Sequence, residues 1–383
     1  MRRASWRGMV LGCASLLAWA WAWAWACGAA PVATGPSSAV PVAAAEKPAE
    51  DPPPDGPPVQ VDCGDFTTCA IVTGGAVRCW GHDKAGELGD TGRGGDRATS
   101  IVVRGAEGAT SIALASKFAC ALGADKKVKC WGTGRITNDG QAKDHAKATE
   151  VSGVEAVDEL TASGAIACAR SGASIACWGA DAATIGTPPT GTFTQVAAGF
   201  THGCALDKKG TVTCWGTGDW SAPKGGFAKP ASISGATYLA TGDRHACVVT
   251  KDKRVQCWGM NDAGQLGTKP DTEMHKTPVT VPGVSPAVKL FAGESAMCAL
   301  LADGSARCWG SNAEGELGLG KKSSDERPSK VASVPDIAGM CLATSHGCAL
   351  TKSKSILCWG ANAAGQLGDG TREKKLEPTR VSW

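Results

Sequence analysis

Cys204-Ala205-Leu206-Asp207-Lys208-Lys209-Gly210-Thr211-Val212-Thr213-Cys214-Trp215-Gly216 is one copy of a pattern that recurs along the whole chain. Its Cys-Trp-Gly ending occurs seven times, at Cys79, Cys130, Cys177, Cys214, Cys257, Cys308 and Cys358, spaced 51, 47, 37, 43, 51 and 50 residues apart. A period of that size marks a propeller or another repeat array, in which each repeat is one small supersecondary unit. If Cys204 stands opposite Cys214 in a hairpin, Leu206 faces Val212 and a three-residue loop ends at Gly210. Such loops want a left-handed last residue, where glycine is least strained.

The same register pairs Cys69/Cys79, Cys120/Cys130, Cys168/Cys177, Cys247/Cys257, Cys298/Cys308 and Cys348/Cys358. It sets Ile71 against Val77, Leu122 against Val128, Val249 against Val255, Leu300 against Ala306 and Leu350 against Ile356, with Gly75 and Gly304 ending their loops. The third copy is one residue shorter and leaves the two-residue turn Gly172-Ala173, with glycine first as a type II′ turn requires. Its Arg170 opposite Ile175 makes it the least regular copy. Opposed cysteines in a non-hydrogen-bonded pair are close enough to bridge, so one hairpin disulfide per copy is expected. Zinc is the competing reading, but it favours two to four residues between paired cysteines. The tryptophan beside each second cysteine points to the other face of its strand and is expected in the core between blades.

Gly264-Gln265-Leu266-Gly267 is one of four Gly-x-Leu-Gly turns, with Gly86–Gly89, Gly315–Gly318 and Gly365–Gly368. Copies two to four carry irregular segments instead, such as Gly132-Thr133-Gly134 and Gly216-Thr217-Gly218. Val196-Ala197-Ala198-Gly199-Phe200-Thr201-His202-Gly203-Cys204-Ala205-Leu206, the hairpin, Trp-Gly, an asparagine and Gly-Gln-Leu-Gly together resemble the repeat of the regulator-of-chromosome-condensation family. The resemblance covers about residues 57–383 and implies an all-β fold, a seven-bladed β-propeller of RCC-type repeats. The cysteine pair in every blade departs from intracellular members and suits an exported, bacterial branch.

The rest of the chain supports export. Met1 to Arg7 is basic, and residues 8–26 are apolar and uncharged, ending in alternating Ala and Trp. Residues 1–26 therefore read as an export signal, with a retained anchor as the alternative. Cys27 follows Ala24-Trp25-Ala26 and resembles the lipid-attachment cysteine of bacterial lipoproteins, although Trp25 replaces the usual leucine-type residue. Residues 27–56, rich in proline and alanine, read as a tether that cannot bury enough surface to fold. The chain is thus expected in the cell envelope, membrane-anchored through lipid only, or secreted if Cys27 is unmodified.

Cys63 and Cys341 remain outside the hairpins and precede the first cysteines of the first and seventh copies. Those copies would be neighbours in a closed ring, so a Cys63–Cys341 clasp is one expectation and two free buried thiols are the other. The final Pro378-Thr379-Arg380-Val381-Ser382-Trp383 has no copy after it and is expected to complete the first sheet.

The formal charge of +3 comes from Arg2, Arg3 and Arg7 alone, so no basic bias points to nucleic acid. No catalytic motif, phosphate loop, cofactor site or metal site is legible. His202, His245 and His346 share one position, two before a first cysteine, and structural hydrogen bonding is expected of them rather than metal binding. The function expected is a monomeric binding scaffold that engages a protein or envelope component with its loops. The alternatives are an enzyme with a site dispersed over one mouth of the ring, and a secreted enzyme inhibitor. The family analogy for the latter is a bacterial propeller of similar repeats that inhibits β-lactamases. Nucleotide exchange on a small GTPase, the best-known task of the eukaryotic relative, fits an exported chain poorly.

Overall fold

The computed structural model describes residues 56–92, 94–179, 186–200, 202–216, 233, 235–331 and 334–383. The expected export signal, Cys27, most of the tether, and Thr217 and Gly218 lie outside the described residues. Twenty-six strands are present among them, arranged as seven antiparallel sheets in chain order. The molecule is a seven-bladed β-propeller.

Each blade is built from one contiguous stretch. Blade 1 runs β1 (Pro58–Cys63), β2 (Thr67–Val72), β3 (Val77–Gly81) and β4 (Arg97–Val102), in that spatial order. Blades 2, 5, 6 and 7 repeat this plan, whereas blades 3 and 4 have three strands among the described residues. The first strand of each blade is the innermost, and these seven strands wall a central cavity.

The hairpins take the expected register. Cys204 lies opposite Cys214 and Leu206 opposite Val212. Gly75, Gly210 and Gly304 have φ of 84°, 85° and 82°, and Lys126, Lys253 and Lys354 accept the same left-handed conformation. In blade 3, Ser171 pairs with Ser174 around Gly172, whose φ is +57°. Arg170 there finds a partner in Glu159 of the inner strand, Nε to Oε2 at 3.1 Å, which explains why an apolar residue is not needed.

A disulfide spans each hairpin, with Cα atoms 4.0–4.1 Å apart. The cysteine face of one blade packs on the tryptophan face of the next. Cys69 and Cys79 share a core with Trp131, Cys298 and Cys308 with Trp359, and Cys348 and Cys358 with Trp80. Strand alternation thus produces the ring: one face carries the bridge, the other the indole, and seven seams repeat the match.

Ring closure differs from expectation. The C-terminal strand β26 (Lys375–Arg380) does not join the first sheet; Leu357 pairs with Arg380 and Cys358 with Thr379 within blade 7. The Pro-Val segments are the outer strands of the blade that precedes them, so a terminal copy supplies its own last strand and none is left to exchange. Closure comes instead from packing of β1 against β23 (Ile337–Leu342), from Trp383 set edge-on to Trp80 with ring centroids 5.9 Å apart, and from Cys63 and Cys341, whose sulfurs lie 1.98 Å apart.

Candidate binding face at the channel mouth

At matching registers of the inner strands, Gln60, Glu159, Gln195, Tyr238, Lys289 and Gly339 line the channel, and Ser111 holds the same register in blade 2. The cavity they surround has a volume of about 490 Å³. Neighbouring inner strands do not pair directly, so their backbone groups need other partners. Side-chain amides supply some of these. Gln60 Nε2 donates to Ile112 O at 2.9 Å while its Oε1 accepts from Ile112 N at 3.2 Å. Gln195 does the same for Leu239, and Glu159 accepts from Val196 N at 3.0 Å. The polar channel residues are therefore stitching first. None of them forms a nucleophile–base pair.

The turns between first and second strands ring one mouth of this channel. There the chain places Asp65, Asp243 and Glu294, with Asp62, around a smaller cavity that no basic residue lines among the described residues. Asp62 accepts from Leu114 N at 2.8 Å, yet burial pushes its carboxyl up to about 7. Asp243 is likewise pushed up to about 7, by burial first and then by the charges of Glu294 and Asp65, with Ser163 opposing. Asp65 accepts from Thr344 Oγ1 at 2.8 Å. Two of the exposed large apolar side chains, Phe66 and Phe200, occupy the same turns. Phe200 adjoins Asp243 through a 3.3 Å backbone hydrogen bond. Phe66 lines a neighbouring groove of about 340 Å³ with His82, Glu87, Asp96 and Lys117. Arg244, also on the rim, lies 3.8 Å from Asp262.

His202, His245 and His346 are fully buried at the base of these turns. His346 Nε2 lies 2.8 Å from Thr68 Oγ1, a hydrogen bond that crosses the seam between blades 7 and 1. Neither ring nitrogen of His245 has a hydrogen-bond partner among the described residues, and burial pushes it down to about 4, so it stays neutral. Its Cε1 would stand 2.1 Å from a Cβ at Gly242, which is why that turn begins with glycine. These rings are packing elements.

Among the described residues the sequence-derived sites divide cleanly. The sixteen cysteines form the seven hairpin bridges and the Cys63–Cys341 link, while the acidic mouth drew no notice in the sequence because its members are isolated in the chain. So many buried disulfides suit an oxidising compartment.

Comparison with known proteins places this ring. Two models described as "Regulator of chromosome condensation (RCC1) repeat" match it, one at residues 59–87, 193–219, 237–265 and 287–316, the other at 252–300, 303–350 and 355–383. The chain belongs to the RCC1 repeat family. Its fold is similar to that of human WBSCR16, at TM-score 0.69 and 18% identity over 81% of this chain and 94% of that one. It is also similar to Prp20p from Saccharomyces cerevisiae, at TM-score 0.51 and 21% identity over 85% and 77%. The ectodomain of the Physcomitrella patens receptor kinase CR4 matches at TM-score 0.54 and 21% identity over 80% and 74%. No curated protein matches the chain in sequence.

Proposed function

We propose that this protein is an extracytoplasmic binding scaffold, tethered through a lipidated Cys27 and residues 27–56, that docks a protein partner on the face carrying the acidic mouth. One observation carries the reading: Asp65, Asp243 and Glu294 converge where no base lines the cavity among the described residues, with Phe66 and Phe200 exposed on the same rim. An acidic, partly desolvated recess flanked by aromatics suits a basic side chain presented on an apolar loop. The solved relatives include a receptor kinase ectodomain, and Prp20p was characterised with its binding to Gsp1p and histones, so interaction is a use to which such rings are put. The hairpin disulfides keep the mouth rigid, which lowers the ordering cost of binding. An enzyme inhibitor is the narrower version of the same reading.

The test compares native protein with an Asp65→Asn/Asp243→Asn/Glu294→Gln variant as baits for envelope and secreted fractions. A specific partner should be retained by the native bait and lost from the variant by about tenfold or more. Equal retention by both would remove the mouth from the reading. Cys27→Ser should release the chain from the membrane fraction if the anchor is lipid.

A further inference from the structure

The ring has two unlike faces. The acidic mouth follows the C-terminal ends of the inner strands. Their starts lie at the opposite end, beside the hairpin turns: Ala236 N donates to Gly210 O, Ala287 N to Lys253 O and Ile337 N to Gly304 O. The chain enters the ring at that end too. Thr73, in the first hairpin turn, donates from its N and its Oγ1 to Pro57 O at 2.9 and 3.0 Å. The segment read as a tether therefore joins the ring on the hairpin face, away from the mouth.

That face is basic over one arc. The hairpin turns of blades 4, 5 and 7 carry Lys208 and Lys209, then Lys251, Lys253 and Arg254, then Lys352 and Lys354, all exposed. The acids in these turns are Asp207 and Asp252. Asp207 Oδ1 is taken by Lys209 N and Thr211 N, both at 2.8 Å, and Asp252 by Thr250 Oγ1 and Arg254 Nε. Lys352 lies 3.8 Å from Asp336. Lys208, Lys209, Lys251, Lys253 and Lys354 have no ion pair among the described residues. Asp303 interrupts the arc in blade 6, with its Oδ1 accepting from Ser305 N and Oγ. Blade 2 is the contrast: Lys126 and Lys127 hold the equivalent turn but pair with Asp158 and Glu150 at 2.7 and 2.8 Å.

Unpaired ammonium groups spread over three blades match an extended layer of negative charge better than a ligand of pocket size. We propose that this hairpin face rests on an anionic phospholipid surface, with the acidic mouth turned away from it. The proposal rests on the tethered reading, which supplies the membrane. Each lysine adds only a little near such a surface, and salt screens it. Free of its anchor the ring therefore comes off; tethered, it meets the lipid at high effective concentration, and the lysines set which face looks outward. The competing occupant is the tether itself, because Glu46, Glu50, Asp51 and Asp55 directly precede this face in the chain.

The chain from residue 27 on, which contains the whole ring, should be made with Cys27→Ser so that no lipid contributes. It is then co-sedimented with vesicles of phosphatidylcholine, or of phosphatidylcholine with about one-third phosphatidylglycerol, at about 0.05 M salt. The anionic vesicles should retain at least about tenfold more protein, and about 0.5 M salt should abolish the difference. Lys253→Gln/Lys354→Gln should lower that retention at least about fivefold, whereas Lys126→Gln/Lys127→Gln, an equal change in net charge, should lower it less than about twofold. Equal retention by the two kinds of vesicle would overturn the proposal. So would equal losses in the two double variants, since net charge rather than this face would then be acting. A preference for anionic vesicles that emerges only in Glu46→Gln/Glu50→Gln/Asp51→Asn/Asp55→Asn would overturn it in favour of the tether. The assay contains no lipidated chain, so its failure is separate from failure of Cys27→Ser to release the chain from membranes.

Discussion

The three seams that join blades 5, 6, 7 and 1 share one recurring device, and among the described residues the two seams flanking blade 3 lack it. Trp309 donates Nε1–H to Gln265 O at 2.9 Å, Trp359 to Glu316 O at 2.7 Å and Trp80 to Gln366 O at 2.9 Å. Each acceptor belongs to the Gly-x-Leu-Gly turn of the preceding blade. Trp178 and Trp215, which follow blades without that turn, are equally buried but have no partner for Nε1 among the described residues. The apolar seam is thus common to the whole ring, and the polar lock is local to one arc. Trp131 is the informative exception: blade 1 offers the turn and packs Gly89 on this indole, yet its Nε1 has no partner among the described residues. The seven-fold pattern of cysteine and tryptophan specifies the ring, while the turn refines it.

The comparison can be broken most forcefully at the clasp. Replacing Cys63 and Cys341 together by Ser releases a loop with sequence separation 278, for which chain entropy predicts a loss on the order of 5 kcal/mol. A hairpin bridge such as Cys168–Cys177, with separation 9, should cost about 2–3 kcal/mol on the same argument. Thermal melts of the two variants test that order. Next comes the turn itself: Leu317→Ala, at a fully buried site, should cost about 2–5 kcal/mol. Hydrogen exchange should then show protection lost at the seam between blades 6 and 7 before any other.

Trp359→Phe and Trp178→Phe remove similar apolar volume, but only the first leaves an acceptor, Glu316 O, without its donor. It should be the more destabilising by about 1–2 kcal/mol, and equal losses would show that the lock adds nothing. The smallest effect concerns pH. Burial pushes Asp243 up to about 7 in the folded state, above the ordinary carboxylate value of 3.8, so the folded state binds the extra proton. Its charging destabilises the fold as pH rises through about 7, and stability recovers as pH falls toward the unfolded value. Asp243→Asn should therefore raise Tm above neutrality and match native protein near pH 4.

Much of this was legible in the chain. Hairpin register, turn type and bridge partners followed from spacing, because a ten-residue separation between opposed cysteines leaves little freedom. The terminal strand was not, since Val381 and its neighbours read as an extended segment without naming the sheet that receives them. The acidic mouth was hidden for another reason. Asp65, Asp243 and Glu294 meet only because the ring brings equivalent turns together, so the signal lies in a column across copies rather than in a motif.

The chain enters the ring through β1, the strand that walls the channel, rather than through an outer edge. A pull on the segment before residue 56 would arrive at the hub, and Cys63 would hand that load covalently to blade 7. The clasp thus makes the ring a wheel held at its axle: tension is shared by the first and last blades before either can peel away.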